Sequence, residues 1–171
     1  IAGRFHLAEI MFLPFITAIK SVPVASFIIL CLIWLSSQGL SVFISFLIVL
    51  PIVYTNMLQG IKSTDTKLLE MAGLFRVGWF KKMKYIYLPE LKPYLISACS
   101  VSIGLSWKAG IAAEVIGIPV GSIGEKLYEA KVYLSSADLF AWTVVIILVS
   151  IAFEKLFLYF IKWFFIRLER S

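Results

Sequence analysis

The stretch LSVFISFLIVLPIVYTNML, from Leu40 to Leu58, carries no charged residue. A helix needs around 20 mostly apolar residues to cross a hydrocarbon core of about 30 Å, and this segment has that length. It therefore predicts a transmembrane helix. Pro51 lies inside it, and neighbouring groups must satisfy the carbonyl that a proline frees, so we expect a kink that faces protein.

The composition of the whole chain agrees with this prediction. Of its 171 residues, 61% are hydrophobic and 15% are charged, whereas soluble domains have about 45–50% apolar and about 25% charged residues. The chain has room for four or five crossings, so we expect an all-α, polytopic membrane helix bundle with residues 1–171 as one transmembrane domain. The first residues, Ile1 to His6, look like the middle of a sequence. We therefore expect an N-terminal truncation, with at least one helix missing.

The other predicted crossings follow the remaining apolar runs. Pro23 suits the first turn of a helix, where its missing N–H is not needed, and a crossing is predicted from about Val24 to Ser37. A third begins near Pro93 and runs through Ser106, with many small residues that allow close helix contact. A fourth runs from about Leu139 to Phe153. Residues 7–19 suit either the end of a crossing or an interfacial helix, and an interfacial tail is predicted around the last cations, Lys155, Lys162, Arg167 and Arg170.

The distribution of basic residues orients these segments. Cytoplasmic loops carry an excess of Lys and Arg, and the segment 59–92 holds seven basic residues against three acidic ones. We place this loop, Lys20 and the C-terminus on the cytoplasmic side. The segment 108–138 has no positive excess and several glycines, so we predict an external loop with short or re-entrant helices. The net charge of +6 therefore reflects membrane topology, and nucleic acid is not an expected partner.

The cytoplasmic loop has the signals of two short helices. Asp65 can cap a helix from Thr66 to about Leu74, because its carboxylate can accept bonds from the first-turn N–H groups. A second helix is predicted from about Gly78 to Tyr87, ending where Pro89 cannot donate to the ladder. By composition alone, a hairpin lying on anionic lipid is an equally good interpretation.

The loop contains Glu70-Met71-Ala72 and, further on, Ile86, Leu88 and Pro89. This spacing resembles the EAA loop of ABC importer permeases. That motif opens with Glu-Ala-Ala, has a Gly six residues after the Glu and closes with Ile-x-Leu-Pro. Met71 replaces the second Ala and Arg76 stands at the Gly position. If the family's turn there needs φ > 0, we expect it to shift to Gly73 or Gly78, or else Arg76 to contact the partner. The residues on motif positions are Glu70, Met71, Ala72, Arg76, Ile86, Leu88 and Pro89.

The resemblance implies a function. It suggests a bacterial inner-membrane permease that dimerises, docks two ATP-binding subunits on the cytoplasmic side and receives solute from an external binding protein. Glu70 would be the polar anchor, Ala72 would allow close approach, and residues 86–89 would join the loop to the next crossing. The segments Lys20 to Pro23 and Ala112 to Gly117 are similar to those of the nitrate, sulfonate and taurine group, which implies a small anionic solute.

The chain lacks the motifs of several other functions. It has no GxxxxGK[ST] loop, so ATP must be bound by another chain. Cys31 and Cys99 lie in apolar runs without metal-ligand spacing and are expected to behave as small hydrophobes, so we expect no cofactor or metal in this chain. A secondary transporter, which needs no ATPase, stays open as an alternative.

Three residues are candidates for the solute pathway. Ser106, Lys108 and Glu114 follow one another near the predicted outer mouth, where ionisable residues are usually functional or paired. For Lys108 and Glu114 the alternative is a position in water or in a salt bridge within the external loop. Ser106 is also similar to the serine of intramembrane proteases, but the only His, His6, belongs to another segment, and helix packing is the commoner role of such a serine.

Overall fold

The computed structural model describes residues 6–169, which form seven helices connected by short turns. Arg170, at the end of the predicted tail, and residues 1–5 lie outside the described part. The helices are α1 (His6–Ser21), α2 (Val24–Cys31), α3 (Ser37–Lys62), α4 (Thr66–Leu74), α5 (Trp79–Gly117), α6 (Ile123–Val132) and α7 (Ser136–Glu169). No strand occurs among residues 6–169.

Within residues 6–169, three helices are long and apolar enough to cross a membrane, namely α3, α5 and α7. A fourth crossing is possible if α1 and α2, which are bent by 97° at their junction, are counted as one broken span. This confirms the all-α polytopic class. The crossing predicted from Val24 to Ser37 is wrong as a single helix, since α2 has 8 residues and is only about 12 Å long. An apolar run has the same composition whether it spans lipid or folds as a short buried helix.

Helix α5 is the second departure from the predicted boundaries. It runs without a break for 39 residues, although the sequence predicted an end at Pro89 and a new start at Pro93. A proline ring clashes with the carbonyl four residues earlier, which for Pro89 is that of Tyr85. A π-helical turn over Met83–Tyr87 lies at this point, and such wider turns let a helix continue past a local misfit.

The outer and final segments are also more helical than predicted. Residues 108–117 belong to α5, so the external loop predicted over 108–138 shrinks to 118–122, helix α6 and the turn at 133–135. Helix α7 continues through Glu154 and Lys155 where a separate tail was expected. Its 34 residues give about 51 Å, which exceeds the hydrocarbon core of about 30 Å.

The core of the bundle is the antiparallel contact between α3 and α5. A Cβ on Gly60 would lie 2.7 Å from Leu91 Cδ2, and one on Gly110 would lie 3.0 Å from Ser45 Oγ. Small residues therefore let the two backbones approach along most of their length, which is how helices associate in lipid. Pro51 is buried, as expected of a proline that faces protein. The buried side chains around α2, α3 and α5 are Ile28, Cys31, Leu40, Ile44, Ala109 and Ala113.

Candidate functional site

Helix α4 follows α3 and precedes α5 along the chain, and these two spans are the most closely packed. Both ends of α4 are well defined. At its start, the backbone N–H of Lys67 donates to Oδ1 of Asp65 at 2.8 Å. At its end, the N–H of Val77 donates to the carbonyl of Ala72 at 2.9 Å and that of Arg76 to Gly73 at 3.0 Å. These two bonds form a Schellman motif, which closes the free carbonyls of a helix C-terminus. The predicted span and cap are confirmed.

The turn after α4 occurs at Arg76 itself, with φ of 48°. The expectation that it would shift to Gly73 or Gly78 is wrong, because Gly73 lies inside the helix and Gly78 has φ of −62°. A left-handed conformation costs a non-glycine residue about 1–2 kcal/mol. The two hydrogen bonds of the Schellman motif offset this cost, so the backbone keeps the shape that a glycine would favour.

The surface of this loop is unusually apolar. Leu74, Phe75 and Phe80 are 84%, 76% and 88% exposed, and Met71 is 50% exposed. Glu70 is exposed beside them, and its carboxylate has no hydrogen bond or ion pair with any described residue. Exposed apolar patches rimmed by polar residues mark interaction sites. We call Glu70, Met71, Leu74, Phe75 and Phe80 the loop surface.

The other motif residues of the loop face inward or continue into the span. Ala72 is 4% exposed, so its methyl group packs within this chain. Ile86 and Leu88 are partly buried and Pro89 is exposed. All three lie in the unbroken helix that runs from the loop into the membrane. The last three motif residues therefore belong to the same continuous helix as the span.

Ser106 and Glu114 meet in a cleft of about 510 Å³ between α3, α5 and the start of α6. Ser106 Oγ donates to the carbonyl of Ile103 at 3.0 Å, while its own carbonyl accepts from Ser45 Oγ at 3.0 Å. Oε2 of Glu114 accepts the N–H of Gly124 at 3.1 Å. Ser106 therefore serves helix contacts, and Glu114 holds α6 against α5.

Lys108 lies on a different face of α5 and lines a second cavity, of about 490 Å³. Lys20 of α1 lines the same cavity. The other described residues of the lining are apolar: Ile19, Val22, Val24, Ile48, Pro51, Ile52, Leu105, Ala109 and Ala112. Lys108 is therefore part of a membrane-length helix, and its predicted position in an external loop is wrong.

Lys20 lies away from the loop end of the bundle. Glu9 near the start of α1 forms a salt bridge with Lys62 at the end of α3, which fixes one end of α1 to the loop side of the bundle. Lys20, at the other end of α1, shares its cavity with Pro51, near the middle of α3. Lys20 therefore lies beside the middle of α3 and away from its loop end. Its placement on the cytoplasmic side stays a prediction. No local pattern predicted that Lys20 and Lys108, which are far apart along the chain, line one cavity.

Comparison with known proteins identifies the family. Residues 1–170 match the family of binding-protein-dependent transport system inner membrane components. The chain belongs to this family. The permease is 24% identical over 152 residues to a putative aliphatic sulfonates transport permease protein, SsuC, of Bacillus subtilis, covering 88% of this chain and 54% of the relative.

Two further relatives are also named as transport permease proteins. A bicarbonate transport system permease protein, CmpB, of Synechococcus elongatus is 23% identical over 152 residues, with 89% of this chain and 53% of the relative covered. A putative SsuC of Escherichia coli is 27% identical over 122 residues, with 71% of this chain and 46% of the relative covered. The permease thus spans about half the length of these curated relatives. Its resemblance to the sulfonate-type group of ABC permeases is confirmed.

Proposed function

We propose that this permease is the membrane subunit of an ATP-driven importer and that its loop surface docks on the ATP-binding subunit. The observation that supports this most directly is the construction of α4. It is capped at both ends, carries exposed apolar side chains and presents a carboxylate without a partner in the described chain. A loop meant only to connect two spans has no need of such a surface.

The connections of α4 suggest how ATP-driven motion would reach the solute pathway. The helix follows the end of α3 after only three residues and is followed, after four, by α5. These two spans pack along their length, with Ser45 Oγ bonded to the carbonyl of Ser106. A partner that pulls α4 therefore acts on both spans at once. Rigid-body movement of packed helices is a common way to transmit such a change.

The assembly and the solute are proposed from the family and its named relatives. We propose two ATP-binding subunits, a second permease subunit and an external solute-binding protein, in the cytoplasmic membrane of a bacterium. ATP would be bound by the partner chain. The C-terminus and the loop surface lie on the cytoplasmic side in this arrangement. Because the named relatives concern sulfonates and bicarbonate, the proposed solute is a small anion.

The experiment is a charge reversal at the loop surface, Glu70→Lys, in the full transporter. We expect ATP-dependent uptake of an aliphatic sulfonate or bicarbonate to fall by about tenfold or more, since a charge-assisted contact is worth about 1.5–3 kcal/mol. Membrane insertion and thermal stability should stay normal because Glu70 has no partner inside the described chain. Glu129→Lys makes the same charge change on α6, where only an exposed pair with Lys126 is lost, and uptake should persist. Normal uptake by the Glu70→Lys variant would refute the docking role.

A secondary transporter makes the opposite prediction. It would purify as an active complex without any ATP-binding subunit, and its uptake would follow an ion gradient whether or not Glu70 is replaced. Purification of the permease from its native membrane, with identification of the chains that accompany it, separates the two functions.

A further inference from the structure

The cavity shared by Lys20 and Lys108 has an unusual combination of charge and lining. Of the eleven described residues that line it, nine are apolar and the two others are cations. Within residues 6–169, neither lysine has an acidic group within 4.0 Å, and no Asp or Glu lines the cavity. Both lysines therefore line one cavity without a counter-charge from the described chain, and both side chains are exposed.

The position of these lysines makes the missing counter-charge significant. Lys20 shares the cavity with Pro51, near the middle of α3, and Lys108 lies nine residues before the end of α5 at Gly117. Charged side chains at this depth are costly, and they usually face a cavity and mark a substrate or ion path. Two like charges around one cavity repel each other, and an anion between them would relieve this repulsion. The geometry thus favours a ligand over a purely structural role.

The volume of the cavity, and the charge of the cleft on the other face of α5, limit the class of ligand that the cavity can bind. Pockets for small molecules measure about 300–1,000 Å³, and this cavity, of about 490 Å³, lies in that range. The cleft on the other face of α5 contains Glu114, whose carboxylate already accepts from Gly124. The two faces of α5 thus differ in sign, and only the lysine face suits an anion.

We propose that Lys20 and Lys108 form a binding site for a small oxyanion, such as a sulfonate or bicarbonate, at mid-height of the bundle. The ammonium groups would contact the anionic oxygens, and the apolar lining would accommodate a short alkyl group. This inference rests on the proposed function, since it assigns the charge class of the transported solute to two residues. The same anionic oxygen chemistry occurs in lipid phosphates, so the experiment has to separate free anion from lipid.

The first arm measures transport by the full transporter, reconstituted with its ATP-binding subunit and binding protein in phosphatidylcholine vesicles. The probes are methanesulfonate and bicarbonate. Lys20→Met and Lys108→Met should each lower uptake by about 10- to 100-fold, the usual effect of losing a charged contact, while Lys→Arg at either position should restore part of it. Lys131→Met, on the exposed side of α6, is the matched control and should transport normally. Normal uptake by both Met variants would overturn the inference and leave the proposed function intact.

The second arm measures the local potential and does not depend on transport. In a Cys31→Ala, Cys99→Ala background, Leu105→Cys places a thiol on the cavity wall, and Tyr133→Cys, at a position 79% exposed, reports the external solution. An anionic sulfonatoethyl methanethiosulfonate should react faster than its cationic trimethylammonium analogue at Leu105→Cys, with a ratio about tenfold above that at Tyr133→Cys. The ratio should fall to the Tyr133→Cys value in the Lys20→Met, Lys108→Met double variant.

The two arms together distinguish the possible outcomes. An equal ratio at both thiols in the presence of both lysines would overturn the anion site. A high ratio that disappears when phosphatidylglycerol is added to the bilayer, with uptake unaffected by the Met variants, would assign the lysines to lipid headgroups and overturn the solute site. A lysine-dependent ratio without any ATP-dependent uptake would contradict the proposed function while supporting an anion site.

Discussion

Replacing Gly124 by Ala should dislodge α6 from α5. A Cβ at this position would lie 2.3 Å from Glu114 Cβ and 2.6 Å from both Glu114 C and Val115 N. Two of these three atoms belong to the α5 backbone, so the clash cannot be relieved by a side-chain rotation. The α6 backbone has to move away, and the bond from the N–H of Gly124 to Oε2 of Glu114, 3.1 Å long, will break or lengthen.

The size of the effect follows from these two losses. Overpacking costs about 1–3 kcal/mol, and a hydrogen bond to a charged group contributes about 1.5–3 kcal/mol. Partial relaxation will reduce their sum, so we expect Gly124→Ala to lower the free energy of unfolding by about 2–5 kcal/mol. Gly104→Ala is the matched control, since a Cβ there meets nothing within 4 Å. Alanine is about 1 kcal/mol better than glycine inside a helix, so Gly104→Ala should be neutral or slightly stabilising.

The assay is thermal and denaturant unfolding of the purified permease in detergent, with hydrogen exchange to localise the effect. Exchange should increase at the start of α6 in Gly124→Ala and stay unchanged in Gly104→Ala. If both variants have the stability of the original protein and the same exchange at α6, then α6 does not pack on α5 through Gly124, and the arrangement of the outer surface is wrong.

Three further predictions concern the loop and the outer helix. Arg76→Gly should raise stability by about 1 kcal/mol, because glycine adopts φ > 0 without strain; a decrease in the melting temperature would contradict the left-handed turn. Asp65→Ala should destabilise α4 by about 1 kcal/mol through loss of its cap, which faster amide exchange at Lys67 would report, whereas unchanged exchange would argue against capping. The hydrogen bond from Lys126 to Glu129 and the charge of that carboxylate raise the pKa of Lys126 above its usual value. The stabilisation of the folded state by this pair is therefore fully present below the unfolded pKa of 10.5 and is lost as the pH rises through the folded pKa of Lys126. The melting temperature of Lys126→Met should differ from that of the original protein at pH 8, and the two should converge above the raised pKa. A difference that stays constant with pH would argue against the pair.

The success of the sequence predictions depended on how local the signals were. The span of α4 was predicted because a cap at Asp65 and the apolar positions after it lie within ten residues of one another. The central span was predicted from its length and lack of charge. The boundaries of α5 were predicted wrongly because prolines such as Pro89 and Pro93 usually end a helix. No simple sequence pattern marks the π-helical turn before Pro89 that lets the helix continue.

The candidate pathway residues show the same limit. Ser106, Lys108 and Glu114 were grouped because they are close in sequence, yet successive residues on a helix point in different directions. The structure keeps Ser106 and Glu114 on one face of α5 and turns Lys108 to the other. The partner of Lys108 in the shared cavity is Lys20, which the charge pattern had assigned to the cytoplasmic side.

The amino-acid sequence was sufficient to predict an all-α membrane protein with a basic loop resembling the EAA loop of ABC permeases. Those conclusions rest on hydrophobicity, charge and short-range spacing, all of which are properties of consecutive residues. The folded chain was needed to show that Arg76 forms the turn, that α5 continues past two prolines and that two lysines line one apolar cavity. These features depend on the direction in which each helix face points and on the contacts between distant segments, which consecutive residues do not specify.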